Sequence, residues 1–102
     1  MLTGIKEIVD VNSFKLILRF ENNEKREVDF QRIFSNETKE NPNSVFNLLK
    51  DEKIFPEVKL NEEFHTIYWE NLTTYIDYDG EKKKGPLDIS PEFLYENSKP
   101  IS

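Results

Sequence analysis

Seven residues constrain this chain more than any others: Phe14-Lys15-Leu16-Ile17-Leu18-Arg19-Phe20. Phe14, Leu16, Leu18 and Phe20 alternate with Lys15, Ile17 and Arg19, and a period of two belongs to a strand with one buried face. Glu21-Asn22-Asn23-Glu24 follows, and asparagine tolerates the positive φ that a tight turn demands. Arg26, Val28 and Phe30 then alternate with Lys25, Glu27 and Asp29. The two runs read as a β-hairpin. Ile5 to Val11 is predicted to be a first strand, separated from the hairpin by the break at Asn12-Ser13.

The remainder is a mixture of shorter signals. Ser35 to Ser44 is polar throughout, contains Pro42 and reads as a solvated loop. Asn43 or Ser44 is placed to cap a short helix by accepting from an unpaired first-turn N–H. In that helix Val45, Leu48 and Leu49 share one face at i, i+3 and i+4. It is predicted to stop near Lys50 or Asp51, ahead of Pro56. Ile54 to Leu60 leads into a strand with Val58 and Leu60 on one side. His65, Ile67 and Trp69 alternate with Phe64, Thr66 and Tyr68, which predicts a central strand with bulk on both faces.

Thr73 to Tyr78 is rich in β-formers, Asp79-Gly80 is a turn signal, and Glu81 to Lys84 would be a short return strand ended by Gly85-Pro86. Ser90-Pro91-Glu92 has the signature of a helix start: a capping hydroxyl, a proline where no N–H is needed, and an acid at the positive end of the dipole. The last residues, Lys99 to Ser102, are expected to fray. The predicted fold class is α+β: one small domain over residues 1–102, an antiparallel β-sheet of hairpins with one or two short helices packed on it.

Composition then removes whole classes of function. The chain has no cysteine, so disulfides, thiolate nucleophiles and cysteine metal sites are excluded, and its single histidine excludes any site needing two imidazoles. With 14 basic against 20 acidic residues the net charge is −6, which disfavours a general phosphate-backbone binder. Thirteen per cent aromatic residues argue for a folded core in spite of 33% charged residues. The longest apolar run, Leu16-Ile17-Leu18, is far short of the roughly 20 residues of a membrane-spanning helix. Met1 to Glu7 has no signal-peptide core, so a cytoplasmic location is expected.

The order of these pieces resembles a known family. Phe14-Lys15-Leu16 to Phe20, Val28-Asp29-Phe30, Leu48-Leu49-Lys50-Asp51, Phe55, Val58, Ile67-Tyr68-Trp69 and Leu87-Asp88-Ile89-Ser90-Pro91-Glu92-Phe93-Leu94-Tyr95 are similar to the bacterial domain of unknown function 2442 family, over nearly the whole chain. The most specific parts are the tryptophan strand and the Asp-Ile-x-Pro-Glu-x-Leu-Tyr ending. Two departures stand out. Asn22-Asn23 replaces the usual Asp-Gly, and residues 71–86 intervene between the tryptophan and the Asp-Ile segment, suggesting an inserted hairpin at 72–85. The resemblance implies a small α+β bacterial protein and supplies no catalytic residues. Its genomic neighbourhood in many members hints at a protein partner, in the manner of a toxin–antitoxin pair.

Individual candidates for chemistry are few. His65 is the chain's one imidazole, the side-chain type most used as a general base, but a catalytic role needs a nucleophile or carboxylate held against it, and Glu62 and Glu63 sit at an unconstrained strand entry. Asp77, Asp79 and Gly80 superficially suggest a calcium loop. The spacing fails, because an EF-hand with Gly80 sixth would place Tyr75 first and Pro86 twelfth. Lys82-Lys83-Lys84, with Tyr75 and Tyr78 across the turn, could hold a single strand of nucleic acid by charge and stacking. Residues 61–102 nevertheless carry 4 basic against 9 acidic side chains, and lysines on an edge strand also serve to prevent edge-to-edge pairing. Phe64, Tyr68, Trp69, Phe93, Leu94 and Tyr95 read as core. No phosphate loop or nucleophile elbow is present in a chain with three glycines.

The expectation from sequence is therefore a non-enzymatic protein-interaction module with no catalytic, cofactor or metal site. Its contact surface is placed on the hairpin, at Tyr75, Tyr78, Lys82, Lys83 and Lys84, and its partner is expected to be another protein, of basic charge if the chain acts as an antitoxin-like neutraliser. The alternative is a small-ligand or single-stranded nucleic-acid binder using the same hairpin from Tyr75 to Lys84.

Overall fold

The computed structural model describes residues 4–37, 39, 44–76 and 78–101, without the side chains of residues 45, 74 and 75. Among the described residues, seven strands form two antiparallel sheets. The first sheet has the order β1-β2-β3-β7, with β1 at Ile5–Asn12, β2 at Lys15–Phe20, β3 at Lys25–Asp29 and β7 at Ser98–Pro100. The second has the order β4-β5-β6, with β4 at Lys59–Asn61, β5 at Thr66–Ile76 and β6 at Lys82–Ile89. Two short helices, α1 at Phe30–Glu37 and α2 at Pro91–Glu96, complete an α+β arrangement.

The alternation in β2 does what its period requires. Leu16, Leu18 and Phe20 are fully buried, while Lys15 is exposed. Asn23 takes φ 71° in the turn, and Leu16 faces Val28 across the hairpin. From the other sheet Ile67, Trp69, Leu87 and Ile89 point into the same core. Between the layers stand the rings. Phe30, Phe55 and Trp69 lie 5.0 to 6.0 Å apart centre to centre, and Phe14 meets both Phe34 and Phe55 at under 6 Å. Edge-to-face contacts of this kind add roughly 0.5–1.5 kcal/mol each beyond the area they bury. The indole is anchored as well as packed, since Trp69 Nε1 donates to the Phe55 carbonyl at 3.0 Å.

Several expectations need correction. Phe30 does not extend β3; it opens α1. Asp29 Oδ1 accepts from the Gln31 N–H at 3.0 Å and caps the helix, and Phe30, Ile33 and Phe34 bury one helical face at i, i+3 and i+4. The helix therefore occupies Ser35 to Glu37, where a loop was expected, and residues 38 and 40–43 of that loop lie outside the described residues. Ser44 caps the next segment by accepting from Phe46 N–H, but Val45–Lys50 is a 3-10 helix. Three residues per turn replace 3.6, so Leu49 is buried while Leu48 is 42% exposed.

Phe64 and His65 do not belong to the tryptophan strand. His65 adopts φ 54° in the turn that precedes β5, and Phe64 is 68% exposed. Gly85-Pro86 does not end β6, which runs on to Ile89. Proline is tolerated on an edge strand or beside a bulge, and Pro86 has both: β6 is an outer strand, and three β5 residues (Glu70, Asn71 and Leu72) occupy the space opposite it. Nor does the C-terminus fray at Lys99, because β7 pairs with β3 through Val28 to Ser98 and Arg26 to Pro100. At the start of α2, Ser90 caps Phe93 N–H as the sequence predicted. No helix among the described residues is long and apolar enough to cross a membrane, which says nothing about strands.

Candidate interaction surface

The tryptophan strand and the Thr73 strand are one element. β5 runs from Thr66 to Ile76 and pairs with β6 in two stretches: Ile67 to Trp69 against Leu87 to Ile89, then Thr73 to Ile76 against Lys82 to Gly85. The bulge between them is held by local chemistry. Asn71 takes φ 52°, which asparagine accepts more readily than most residues. The Thr73 hydroxyl donates to the Gly85 or Pro86 carbonyl, at 3.2 and 3.3 Å. Residues 72–85 are thus the distal part of a long hairpin whose proximal part builds the core.

Beyond the bulge the core stops. No described residue from Ile76 to Lys84 is buried; Ile76 is 67% exposed and Tyr78 is fully exposed. Gly80 turns the hairpin at φ 79°. The chain is 48 Å along its longest axis, and its radius of gyration of 14.2 Å exceeds the ~13 Å typical of a compact domain of this size. The charge is also distributed unevenly. Residues 73–85 hold Asp77, Asp79 and Glu81 against Lys82, Lys83 and Lys84, a net charge of zero, so the remaining 11 basic and 17 acidic residues carry all of the −6.

The structure brings together the backbone of four of the five residues singled out on this hairpin. Lys83 faces Tyr75, Lys82 faces Ile76 and Lys84 faces Thr74. Tyr78 stands at the turn with its ring in solvent. The Tyr75 side chain and all of Asp77 lie outside the described residues. Lys82 and Lys84 have no ion-pair partner among the described residues, in keeping with a solvated edge strand.

The remaining candidates sit elsewhere. His65 lies between the sheets, where its carbonyl accepts from Ile5 N–H at 2.6 Å. Its Nδ1 is 4.0 Å from Glu21 Oε1, outside hydrogen-bond reach, and both side chains are about half in water. That is not the buried base–carboxylate pair that general catalysis needs. Gly4 makes this junction feasible, for a Cβ there would collide with the Glu21 carboxylate and the His65 Cβ. Trp69 is core, while Phe64 is exposed at the turn.

Two features escaped the sequence. Ile76 reads in sequence as an ordinary strand residue, and its place one register position from the turn is the signal that marks it as unburied. A groove under the bulge, lined by Ile54, Pro56, Val58, Trp69 and Leu72, depends on the bulge and has no linear signal. On its rim Lys59 Nζ meets Glu70 Oε2 at 3.0 Å, and this hydrogen bond raises the lysine pKa.

No family model, curated protein or solved structure matches the chain.

Proposed function

We propose that the chain is a non-enzymatic protein-binding module that engages its partner through the tip of the β5–β6 hairpin. The observation that carries this reading is the exposure of Ile76 and Tyr78 on a segment that leaves the core and has no net charge of its own. Aromatic and aliphatic side chains carried on paired strands lose less conformational freedom on binding than those of an open loop, and a fully exposed tyrosine is a favoured anchor in protein interfaces. The acidic remainder suits a partner with a basic surface, which it would attract and orient more than tighten. The resemblance to the domain of unknown function 2442 family points in the same direction, and a cytoplasmic, antitoxin-like role accords with it.

The test is a pair of affinity captures from the source cells, one with the wild-type chain and one with the Ile76→Ala/Tyr78→Ala variant, both at moderate salt. A stoichiometric protein bound by the first and lost from the second, with thermal unfolding unchanged, is the expected result. Equal capture by both chains overturns the tip as the contact. Salt-sensitive retention of single-stranded nucleic acid, lost in a Lys82→Ala/Lys83→Ala/Lys84→Ala variant, would replace this reading with the nucleic-acid alternative.

A further inference from the structure

We infer that the far half of β5 pairs, along the edge turned away from β6, with the same edge of a second copy of this chain, forming a sheet of order β6-β5-β5-β6 about a two-fold axis at Thr74. β4 covers that edge of β5 only from Thr66 to Tyr68, through Asn61, Leu60 and Lys59. From Leu72 to Ile76 the strand partner among the described residues is β6 alone. Successive strand residues direct their N–H and C=O groups to opposite sides, so about half of those in this stretch point away from β6. Among the described residues no turn or loop backbone group takes them up.

The two edges of this arm are built differently. The β6 edge carries Lys82, Lys83, Lys84 and Pro86, residues that keep an edge strand from pairing. Leu72-Thr73-Thr74-Tyr75-Ile76 has no charge and no proline, and its threonines, tyrosine and isoleucine are strand formers. The arm also needs a neighbour. Beyond the bulge it is a two-stranded ribbon with no core beneath it, and two strands alone are marginally stable in water. A second copy widens both arms at once, and the guarded β6 edges on the outside stop the sheet at two chains.

Charge and register favour a second copy as the occupant. Residues 73–85 are neutral, so two arms meet without repulsion, and their antiparallel arrangement holds the acidic bodies at opposite ends. Residues facing each other about a two-fold axis have numbers of constant sum. With the axis at Thr74, Ile76 lies across from Leu72 of the second copy, and Thr73 from its Tyr75. Ile76 is 67% exposed in its own chain, while Leu72 borders the apolar groove of Ile54, Pro56 and Val58. The pairing gives Ile76 the apolar neighbour it lacks. One residue earlier or later, the axis would set Ile76 against Glu70 or Thr74. This goes beyond the partner contact proposed above: it rests on the strand edge and is decided with the pure chain, so either can fail without the other.

Because the chain has no cysteine, a single Thr74→Cys substitution reports on the axis directly. Facing residues of an antiparallel pair have Cα atoms about 4.5–5.5 Å apart, within disulfide reach. Under mild oxidation of the purified chain, Thr74→Cys should form a covalent dimer, whereas Lys83→Cys on the guarded edge should not. Sedimentation equilibrium of the wild type from micromolar to millimolar concentrations should show a reversible dimer. Ile76→Lys should weaken it by about tenfold or more, since a charge then faces Leu72 at both ends. Mixing Ile76→Lys with Leu72→Glu should restore the association, because the mixed dimer holds one Lys–Glu pair and one Ile–Leu pair. A wild type that stays monomeric at millimolar concentration overturns the inference and leaves this edge to a strand of another protein. Cross-linking of Lys83→Cys but not of Thr74→Cys overturns the edge, and a dimer indifferent to Ile76→Lys overturns the register.

Discussion

The Tyr95 hydroxyl donates a 2.6 Å hydrogen bond to Glu24 Oε2 and so fastens the last helix to the β2–β3 hairpin, 71 residues away in sequence. Arg26 completes the clamp. Its guanidinium lies 4.1 Å from the centre of the Tyr95 ring, its Nη1 is 3.3 Å from Glu24 Oε1, and its Nε donates to Ser98 Oγ at 2.6 Å. Ser98 Oγ in turn donates to the Tyr95 carbonyl. One arginine thereby holds both α2 and β7 against the β2–β3 turn.

This clamp has a pH signature. The bond from Tyr95 is the main cause of a lowered Glu24 pKa, and the same bond is the main cause of a raised Tyr95 pKa. A depressed carboxylate stabilises the fold above its unfolded pKa and loses that contribution as pH falls through the folded value. A raised tyrosine contributes below its unfolded pKa and loses it as pH rises through the folded value. Urea midpoints for wild type and Tyr95→Phe should therefore differ most on the plateau between the carboxylate and tyrosine ranges, and converge at both ends. A difference that does not change with pH would remove the hydroxyl–carboxylate bond from the explanation.

The core should respond to truncation as a single unit. Leu18→Ala, at a fully buried site, should cost about 2–5 kcal/mol in chemical denaturation. Trp69→Phe should cost about 1–3 kcal/mol, because it removes the indole donor at 3.0 Å and leaves the Phe55 carbonyl with the longer Val58 N–H bond at 3.3 Å. A negligible loss in Trp69→Phe would show that the Val58 N–H alone satisfies that carbonyl.

His65 tests structure against chemistry. Its φ of 54° costs a non-glycine residue, and a β-branched one most. His65→Asn should leave the melting temperature close to wild type, whereas His65→Val should cost roughly 1–2 kcal/mol. Equal effects from the two would mean that the imidazole, and not the backbone, matters there.

At Ser90 the expected loss is smaller. Ser90→Ala removes the side-chain acceptor for Phe93 N–H and should destabilise the chain by about 1 kcal/mol, read as a shift in denaturation midpoint at unchanged slope.

The elements that could be read from the chain are those whose signal is local. The β2–β3 hairpin follows from strict alternation around two asparagines, and the Ser90 cap follows from a Ser-Pro-Glu start. The α1 helix carried a local signal too, Asp29 followed by apolar residues at 30, 33 and 34, but Phe30 fits the strand and the helix alike. Its choice depends on Phe55 and Trp69, which meet it from other elements. The candidate surface was half legible. Tyr78 and the lysines could be named because turns at Asp-Gly are exposed, while Ile76 could not, since an isoleucine in a β-rich run normally points into a core.

Charge, the absence of cysteine, the main hairpin and the α+β class are properties of neighbouring residues and totals, so the chain alone determines them. Which of two strands lies outermost, where Pro86 finds a bulge to tolerate it, and how β7 closes the first sheet depend on contacts between residues far apart. Val28 pairs with Ser98 across the turn that α2 makes in the chain, and the same return of the chain brings Tyr95 to Glu24. Backbone hydrogen bonds must be satisfied somewhere, and local sequence does not specify the partner; packing the two sheets on one aromatic core does.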